Sequence, residues 1–338
     1  MSTEQAAPSP ILFFETVSAY QRSEAIKAAV ELDVFTAIGE GNRTPQALAE
    51  RCGASERGLR ILCDYLTVAG FLVKDGAGYG LTQDSAVFLD KRSPAYMGSA
   101  VEFLLSPMLK ESFGNLTEAV RRGGTAMPDE GTVTADHPVW VKFARAMAPM
   151  MAMPAQLMSK LIGGEPGRKL KVLDIAAGHG VYGITVAQQN PQAEVVAVDW
   201  PNVLEVAKEN AAKAGVSDRH STIPGSAFEV DFGSGYDLVL LTNFLHHFDP
   251  ESCVGLLKKI HDALSDGGRV VTVEFVPNED RISPPPSAMF SLVMLSSTPK
   301  GDAYTFREYE EMFRSAGFDK NELHQLVPSP QQVIISYK

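Results

Sequence analysis

The sequence predicts an α/β domain, a parallel sheet covered by helices, standing behind a mostly helical N-terminal domain. Three observations lead there. Short apolar runs at Val172–Leu173, Glu194–Val198, Tyr236–Leu241 and Arg269–Val276 alternate with helical stretches such as Val203–Ala214 and Glu251–Leu264, the order expected of parallel strands joined by crossover helices. The first of these strands runs through a small-residue turn, Asp174-Ile-Ala-Ala-Gly-His-Gly180, into a helical segment at Val181–Gln188. Upstream, residues 1–100 read as a helix-turn-helix followed by two short strands. With 338 residues, 45% of them hydrophobic, the chain is long and apolar enough for two domains with proper cores.

The N-terminal elements follow from local signals. Ala25, Ala28, Ala29, Leu32, Val34 and Phe35 form an apolar stripe that predicts one amphipathic helix from Ile11 to Ile38, ending near Gly39-Glu-Gly41. Thr44, with Pro45 behind it, caps a short helix that stops at Gly53, and Ser55 caps a second that runs to Ala69. Phe71-Leu-Val-Lys74 and Gly76-Ala-Gly-Tyr-Gly-Leu-Thr82 predict two strands about a Gly-rich turn, completing a winged-helix module. Residues from about Arg92 to Gly164 read as mostly helical and are rich in Met and aromatics, and Gly163-Gly-Glu-Pro-Gly167 marks a boundary. The expected division is a winged-helix-like domain at 1–100, a helical segment at 101–164 and the α/β domain at 165–338. Ser283-Pro-Pro-Pro286 predicts a stiff loop.

Composition narrows the partners. Thirty Lys and Arg face 41 Asp and Glu, and the net charge of −11 repels polyanions. Within residues 1–100 the balance is 9 basic to 12 acidic, and the helix placed to read DNA, Ser55–Ala69, offers only Arg57 and Arg60 beside Glu56 and Asp64. That is too little for phosphate neutralisation, so nucleic acid is not an expected partner, and a ligand-sensing DNA-binding regulator is the remote alternative. Cys52, Cys63 and Cys253 are scattered and form no C-x-x-C pair, which suggests neither a disulfide framework nor zinc and fits a reducing cytoplasm. The start of the chain lacks a signal-peptide pattern and no run of about 18 apolar residues follows, so no membrane partner is expected. The apolar stripes of the N-terminal helices exceed what one wing can cover, which predicts a dimer interface.

The turn after the first α/β strand carries the chemistry. Small residues remove the Cβ atoms that would keep a ligand from the backbone. Asp174 stands two residues before the small-residue stretch, where its carboxylate would repel a phosphate and attract a ligand bearing an ammonium and a sulfonium. The second strand ends in Val198-Asp199-Trp200, an acid about 20 residues past the turn that can accept both hydroxyls of a ribose.

The stretches Asp174-Ile-Ala-Ala-Gly-His-Gly180, Val198-Asp-Trp-Pro201 and Leu245-His-His-Phe-Asp-Pro-Glu251 resemble motifs of class I S-adenosylmethionine-dependent methyltransferases. Joined to a winged-helix N-terminus, they resemble the small-molecule O-methyltransferases of the caffeate-type and bacterial natural-product family. The resemblance covers nearly the whole chain, including Tyr309-Glu-Glu-Met-Phe-Arg-Ser-Ala-Gly-Phe318. It implies a Rossmann-like domain behind a winged-helix dimerisation domain, a homodimer, S-adenosyl-L-methionine as methyl donor, S-adenosyl-L-homocysteine as product, and no metal. It also implies that Asp174, Ala176, Gly178 and Gly180 hold the amino-acid portion of the cofactor, that Asp199 binds ribose and that Trp200 packs on adenine. The family usually has Gly at position 176, so Ala176 implies a slightly tighter turn. Ser226 stands where an acid commonly accepts from the adenine amino group, and Ala227, Phe228 and Asn243 complete the cofactor set. His179, inside the turn, is expected to face solvent.

Open parallel sheets bind ligands at the carboxyl ends of their strands, which draws attention to Thr242-Asn-Phe-Leu-His-His-Phe-Asp249. Asp249-Pro250 is a helix start that holds His246 and His247 on a short connection. Methyl transfer to a phenol of pKa about 10 requires proton removal, a task that suits a neutral imidazole at pH 7. By the resemblance His246 is the base and Glu274 orients it; His247 is the other candidate, and a supporting role for the loop stays open. Glu274 interrupts an apolar strand, where a carboxylate needs a reason. The family's second acid falls on Ala303, and Asp302 beside it is expected to point elsewhere.

Trp140, Phe143, Met147, Met150, Met151 and Met153 share one helical stretch, and Phe290, Val293 and Met294 recur downstream at helical spacing. Phe143, Met147, Met150, Phe290 and Met294 are the candidate acceptor-binding residues, because thioether and aromatic side chains adapt to flat apolar rings. The reading is O-methylation of an aromatic or polyketide-like hydroxyl, with carbon, nitrogen or carboxyl methylation on the same scaffold as the alternative.

Overall fold

The computed structural model describes residues 8–128, 130–134, 136–163 and 167–338. The boundary expected at Gly163–Gly167 lies partly outside them. The chain forms two compact units, Met1–Leu105 and Ser106–Lys338.

In the first unit the single helix expected over 11–38 is three: α1 (Ile11–Val17), α2 (Ala19–Glu31) and α3 (Val34–Gly39). Asp33 breaks the run by adopting φ 60°, a left-handed conformation that Asp tolerates better than most residues. Its carboxylate is held at 3.1 Å from both Arg51 and Lys91. The caps read from the sequence are present: the Thr44 hydroxyl accepts from the Ala47 N–H ahead of α4 (Pro45–Cys52), and Ser55 accepts from Gly58 ahead of α5 (Glu56–Val68). The antiparallel wing, β1 (Leu72–Asp75) and β2 (Gly78–Leu81), precedes α6 (Gln83–Phe88) and α7 (Val101–Leu104). Phe35, Leu48, Leu59, Leu66 and Tyr79 form the core of this unit. Ile11, Leu12, Phe13, Phe14 and Val17 of α1 are all more than half exposed.

The second unit begins with α8 (Pro107–Gly114), α9 (Leu116–Arg122) and the long α10 (Val139–Leu161), which contains Pro149 and Pro154. Then come β3 (Leu170–Ile175), α11 (Val181–Gln189), β4 (Ala193–Asp199), α12 (Pro201–Lys213) and β5 (His220–Pro224). The chain continues through β6 (Tyr236–Thr242), α13 (Pro250–Ala263), β7 (Leu264–Glu274), α14 (Pro285–Ser297), α15 (Phe306–Ser315), β8 (Lys320–Gln325) and β9 (Gln332–Tyr337). The stiff loop expected at 283–286 gives way to helix at Pro285, because the first turn of a helix needs no N–H donors and proline's fixed φ suits it.

The seven strands lie in the order β5-β4-β3-β6-β7-β9-β8, parallel except for β9, which runs antiparallel to β7 and β8. Strands β5, β8 and β9 add to the four expected. Order reverses between β3 and β6, the crevice where open sheets take ligands. One face packs Leu173, Val239 and Leu241 against Cys253, Leu256 and Ile260 of α13 and Met312 and Phe313 of α15. Beyond the other, α10 packs against α11 and α12. No helix among the described residues is long and apolar enough to cross a membrane.

Candidate active site

At the carboxyl end of β3 the backbone bends through three left-handed residues, Ala176 (φ 52°), Gly178 (φ 58°) and Gly180 (φ 71°). The constraint at Ala176 is therefore one of backbone conformation, for which an L side chain is penalised, as much as one of bulk. Asp174 is 1% exposed. Its Oδ2 accepts from the Gly183 N–H at 3.1 Å, an approach open because a Cβ at Gly183 would lie 2.7 Å from that oxygen. Oδ1 is buried with no partner among the described residues. Burial, and then the neighbouring Asp199 charge, push this carboxyl up to about 7 despite the Gly183 N–H. Asp199 is likewise pushed up to about 6 by burial, while its Oδ2 accepts from Gly178 N–H at 2.8 Å and its Oδ1 from Trp200 N–H at 2.7 Å.

His179 is 3% exposed, not turned to solvent as expected. Phe143 of α10 stacks on its ring at 6.1 Å and Tyr182 lies on it at 6.1 Å. Its Nδ1 accepts from the Val181 N–H at 3.1 Å, and burial holds it neutral down to about 4. The sequence could not show this, because the covering ring comes from a helix more than thirty residues away in the chain. Trp200 is half-buried at the start of α12 and packs with Trp140, Val141 and Ala144 against Val203 and Val206. Ser226 spends its hydroxyl oxygen on the Phe228 N–H at 3.3 Å. Ala227 is buried, whereas Phe228 is 38% exposed and meets Phe248 edge-on at 4.8 Å.

Beyond β6, Asn243 takes φ 54° and donates its N–H to Val273 O at 2.8 Å. Its Oδ1 accepts from Gln331 Nε2, and Met151 Sδ lies 4.0 Å from its Nδ2 and 3.6 Å from the Tyr182 hydroxyl. Gln331 and Tyr182 carry no sequence signal for this role. His246 follows in a short turn, 3% exposed, with Nδ1 at 2.5 Å from Oε2 of the fully buried Glu274. The other oxygen of Glu274 accepts from the N–H groups of Phe244 (3.0 Å) and Leu245 (3.1 Å). Asp249 caps α13 through the Ser252 N–H at 2.8 Å, and the Cys253 thiol donates to Leu245 O at 3.3 Å. These bonds hold the histidine turn from both flanks.

Nε2 of His246 lies 3.2 Å from Nε2 of His247. Phe290 meets the His246 ring edge-on at 4.8 Å and stacks on Phe275 at 4.3 Å, and Trp140 meets His247 at 5.2 Å. Met147 and Met294 are buried and Met150 is half-buried on α10. Asp302 does point elsewhere, toward Arg281 at 3.3 Å, and Ala303 is fully buried. A Cβ on Gly301 would strike the His246 carbonyl oxygen, so the loop beside Asp302 packs on the histidine turn by bare backbone.

The residues present fit an adenosyl sulfonium amino acid. A buried carboxylate oxygen without a partner suits a cation, and the left-handed bend at Gly178 exposes backbone beside it. An O-methyltransferase domain matches residues 131–319 and an O-methyltransferase dimerisation domain matches residues 14–91. The 3-hydroxy-5-methyl-1-naphthoate 3-O-methyltransferase of Streptomyces sahachiroi is 27% identical over 314 residues, 91% of this chain and 89% of that protein. A presumed O-methyltransferase from Nostoc punctiforme has a crystal structure that superposes with a TM-score of 0.94 at 59% identity, covering 98% of this chain and all 100% of that one. Human N-acetylserotonin methyltransferase, solved with S-adenosylmethionine, shares the fold at a TM-score of 0.84 and 22% identity, covering 100% of this chain and 99% of its own. The chain belongs to the O-methyltransferase family and is an S-adenosylmethionine-dependent O-methyltransferase with an N-terminal dimerisation domain.

Proposed function

We propose that this enzyme methylates a hydroxyl on an aromatic or polyketide-like small molecule, with His246 as general base and Glu274 as the residue that orients it. The observation that carries the reading is the 2.5 Å contact between His246 Nδ1 and Glu274 Oε2, both groups buried. A carboxylate there accepts a hydrogen bond from Nδ1–H, which fixes the proton on Nδ1 and leaves Nε2 with the lone pair that accepts a proton. When that proton arrives, the imidazolium lies beside an anion it already touches, and Glu274 cannot swing away because its second oxygen is committed to two backbone N–H groups.

Bound S-adenosylmethionine supplies an electrophilic methyl group and departs as S-adenosyl-L-homocysteine. In this reading Asp174, through its free Oδ1, receives the cationic amino-acid end, and Ala176, Gly178 and Gly180 permit close approach of the backbone. Asp199 accepts the ribose hydroxyls; Trp200, Ser226, Ala227 and Phe228 surround the base, and Asn243 closes the site from β6. Phe143, Met147 and Met150 on α10 and Phe290 and Met294 on α14 form the acceptor wall. The fused hydroxylated ring named for the Streptomyces relative supports an acceptor of that kind. Functionally the chain divides into a dimerisation segment at 1–100, a pocket-lining segment at 101–164 and a cofactor-binding segment at 165–338. The exposed apolar residues of α1 support a homodimer in which a second copy covers them.

The test is methyl ether formation, read by mass spectrometry, on a panel of hydroxynaphthoates and hydroxybenzoates. His246→Ala is expected to cut kcat by about 10²-fold or more, with donor affinity kept. Near-normal turnover by that variant would remove the base role, and no product from any member of the panel would remove the aromatic acceptor.

A further inference from the structure

Glu274, His246 and His247 form a continuous chain of short polar contacts, 2.5 Å and then 3.2 Å long, that ends on a nitrogen with no partner among the described residues, His247 Nδ1. Two imidazole nitrogens at 3.2 Å share one proton, and it must sit on one of them. Glu274 decides which. Its Oε1 accepts two backbone N–H groups and its Oε2 faces His246 Nδ1, so an ionised Glu274 fixes the proton of His246 on Nδ1. Nε2 of His246 then carries a lone pair, and the proton in the 3.2 Å contact belongs to His247 Nε2. This places a second lone pair on the buried His247 Nδ1, the far end of the chain. The opposite assignment would bury an N–H at that position with no acceptor, which costs more than an unfilled lone pair. Burial and the adjacent His246 also press His247 strongly toward its neutral form.

The two rings face different walls. His246 meets Phe290 of α14, whereas His247 meets Trp140 of α10, which in turn meets Phe143 at 5.6 Å, the ring stacked on His179 of the bend between β3 and α11. The free nitrogen therefore belongs to the ring that Trp140 and Phe143 link to the bend assigned to the methyl donor.

We propose that His247 is a second catalytic residue, which takes the proton of the acceptor hydroxyl on Nδ1 and passes its own Nε2 proton to His246. The proposal rests on the assignment of His246 as the base and deepens it. The acceptor O–H bond breaks as the His247 Nδ1–H bond forms; the His247 Nε2–H bond breaks as the His246 Nε2–H bond forms. His247 ends neutral with its tautomer exchanged. The positive charge comes to rest on His246 against Glu274, and the electron pair stays on the acceptor oxygen for the methyl group. Return of the His246 proton to His247 Nε2, with release of the Nδ1 proton to water, restores the starting state.

Two experiments test this, and neither depends on the other. In the full-length wild-type protein labelled with 15N-histidine and free of acceptor, NMR should find His246 protonated on Nδ1, His247 protonated on Nε2, and a coupling between the two Nε2 nuclei across their hydrogen bond. A proton on His247 Nδ1, or no coupling, overturns the relay. In the second, His247→Phe keeps a ring against Trp140 but cannot carry a proton. With 3-hydroxy-1-naphthoic acid as acceptor, kcat should fall by about 10²-fold or more with the KM for S-adenosylmethionine unchanged. If His247→Phe turns over within about threefold of wild type while His246→Ala is inactive, the relay is wrong and the base assignment stands. If His246→Ala is itself near normal, the base assignment falls and the relay with it.

Discussion

Asp199 accepts the N–H of Gly178 through one carboxylate oxygen, at 2.8 Å, so the end of β4 braces the bend that follows β3. Its other oxygen, on Trp200 N–H at 2.7 Å, fixes the entry to α12. One side chain thus ties the bend after β3 to the junction of β4 and α12. Asp199→Ala should weaken S-adenosylmethionine binding about 10- to 100-fold, the scale of losing charge-assisted hydrogen bonds. Titration calorimetry on the folded variant measures it, and unchanged affinity would refute the role.

Cofactor affinity should rise with pH. The Asp174 carboxyl is pushed up to about 7 and the Asp199 carboxyl to about 6, both from an ordinary 3.8. The ligand-free fold therefore holds protons that the unfolded chain has already lost. These two groups contribute most stability below about pH 4, and that contribution is lost as pH climbs to about 7. His179, kept neutral down to about 4 from an ordinary 6.5, acts in the opposite sense, its contribution being lost as pH falls through that window. Binding is the cleaner readout. A cationic ligand demands ionised carboxylates, so at pH 6 its binding should release protons, seen as a heat that varies with buffer ionisation enthalpy, and affinity should level off above about pH 7. Proton uptake would contradict the assignment.

Ala176→Gly should stabilise the enzyme. The backbone there has φ 52°, costly for an L residue by about 1–2 kcal/mol, partly offset by the greater freedom of glycine in the unfolded chain. A net gain of about 0.5–1 kcal/mol corresponds to roughly 1–4 °C in Tm for a domain of this size. A lower Tm would mean that the alanine methyl makes packing contacts worth more than the strain.

Glu274→Gln keeps the shape but can donate an amide N–H to His246 Nδ1, which drives the imidazole proton to Nε2 and removes the lone pair. Turnover should fall by about 10²- to 10⁴-fold, with donor affinity within a fewfold of wild type. Loss of donor binding in parallel would assign Glu274 to the architecture of the loop instead.

Leu12 and Phe13 are 75% and 64% exposed. Replacing both with Asp should convert a dimer at micromolar concentration to a monomer, measured by light scattering, because burying such side chains contributes about 1.5–3 kcal/mol each. A variant that stays dimeric places the interface elsewhere.

Much of this was legible where local chemistry decides. Thr44-Pro45, Ser55 and Asp249-Pro250 mark helix starts because capping depends on residues within three positions. The apolar run broken by Glu274 announced a carboxylate with a partner, and Glu274 is fully buried against His246. What eluded the sequence depends on distant partners. The strand Lys320–Gln325 is mostly polar and is defined by its pairing with Gln332–Tyr337. His179 is buried by a ring from α10, and Asn243 is held by Gln331 from the far end of the chain. The stripe over 11–38 keeps its apolar period across Asp33, so nothing in the spacing betrays the left-handed break.

The strand order has a consequence for biosynthesis. β9, the seventh strand of its sheet to be translated, is inserted between β7 and β8 and pairs with both. While the ribosome is still extending the chain toward Gln332, β7 has one edge open and Asn243 lacks Gln331. The dimerisation segment can mature during translation, but the catalytic sheet is completed only after release of those residues from the exit tunnel, an interval in which an exposed parallel edge is vulnerable to mispairing.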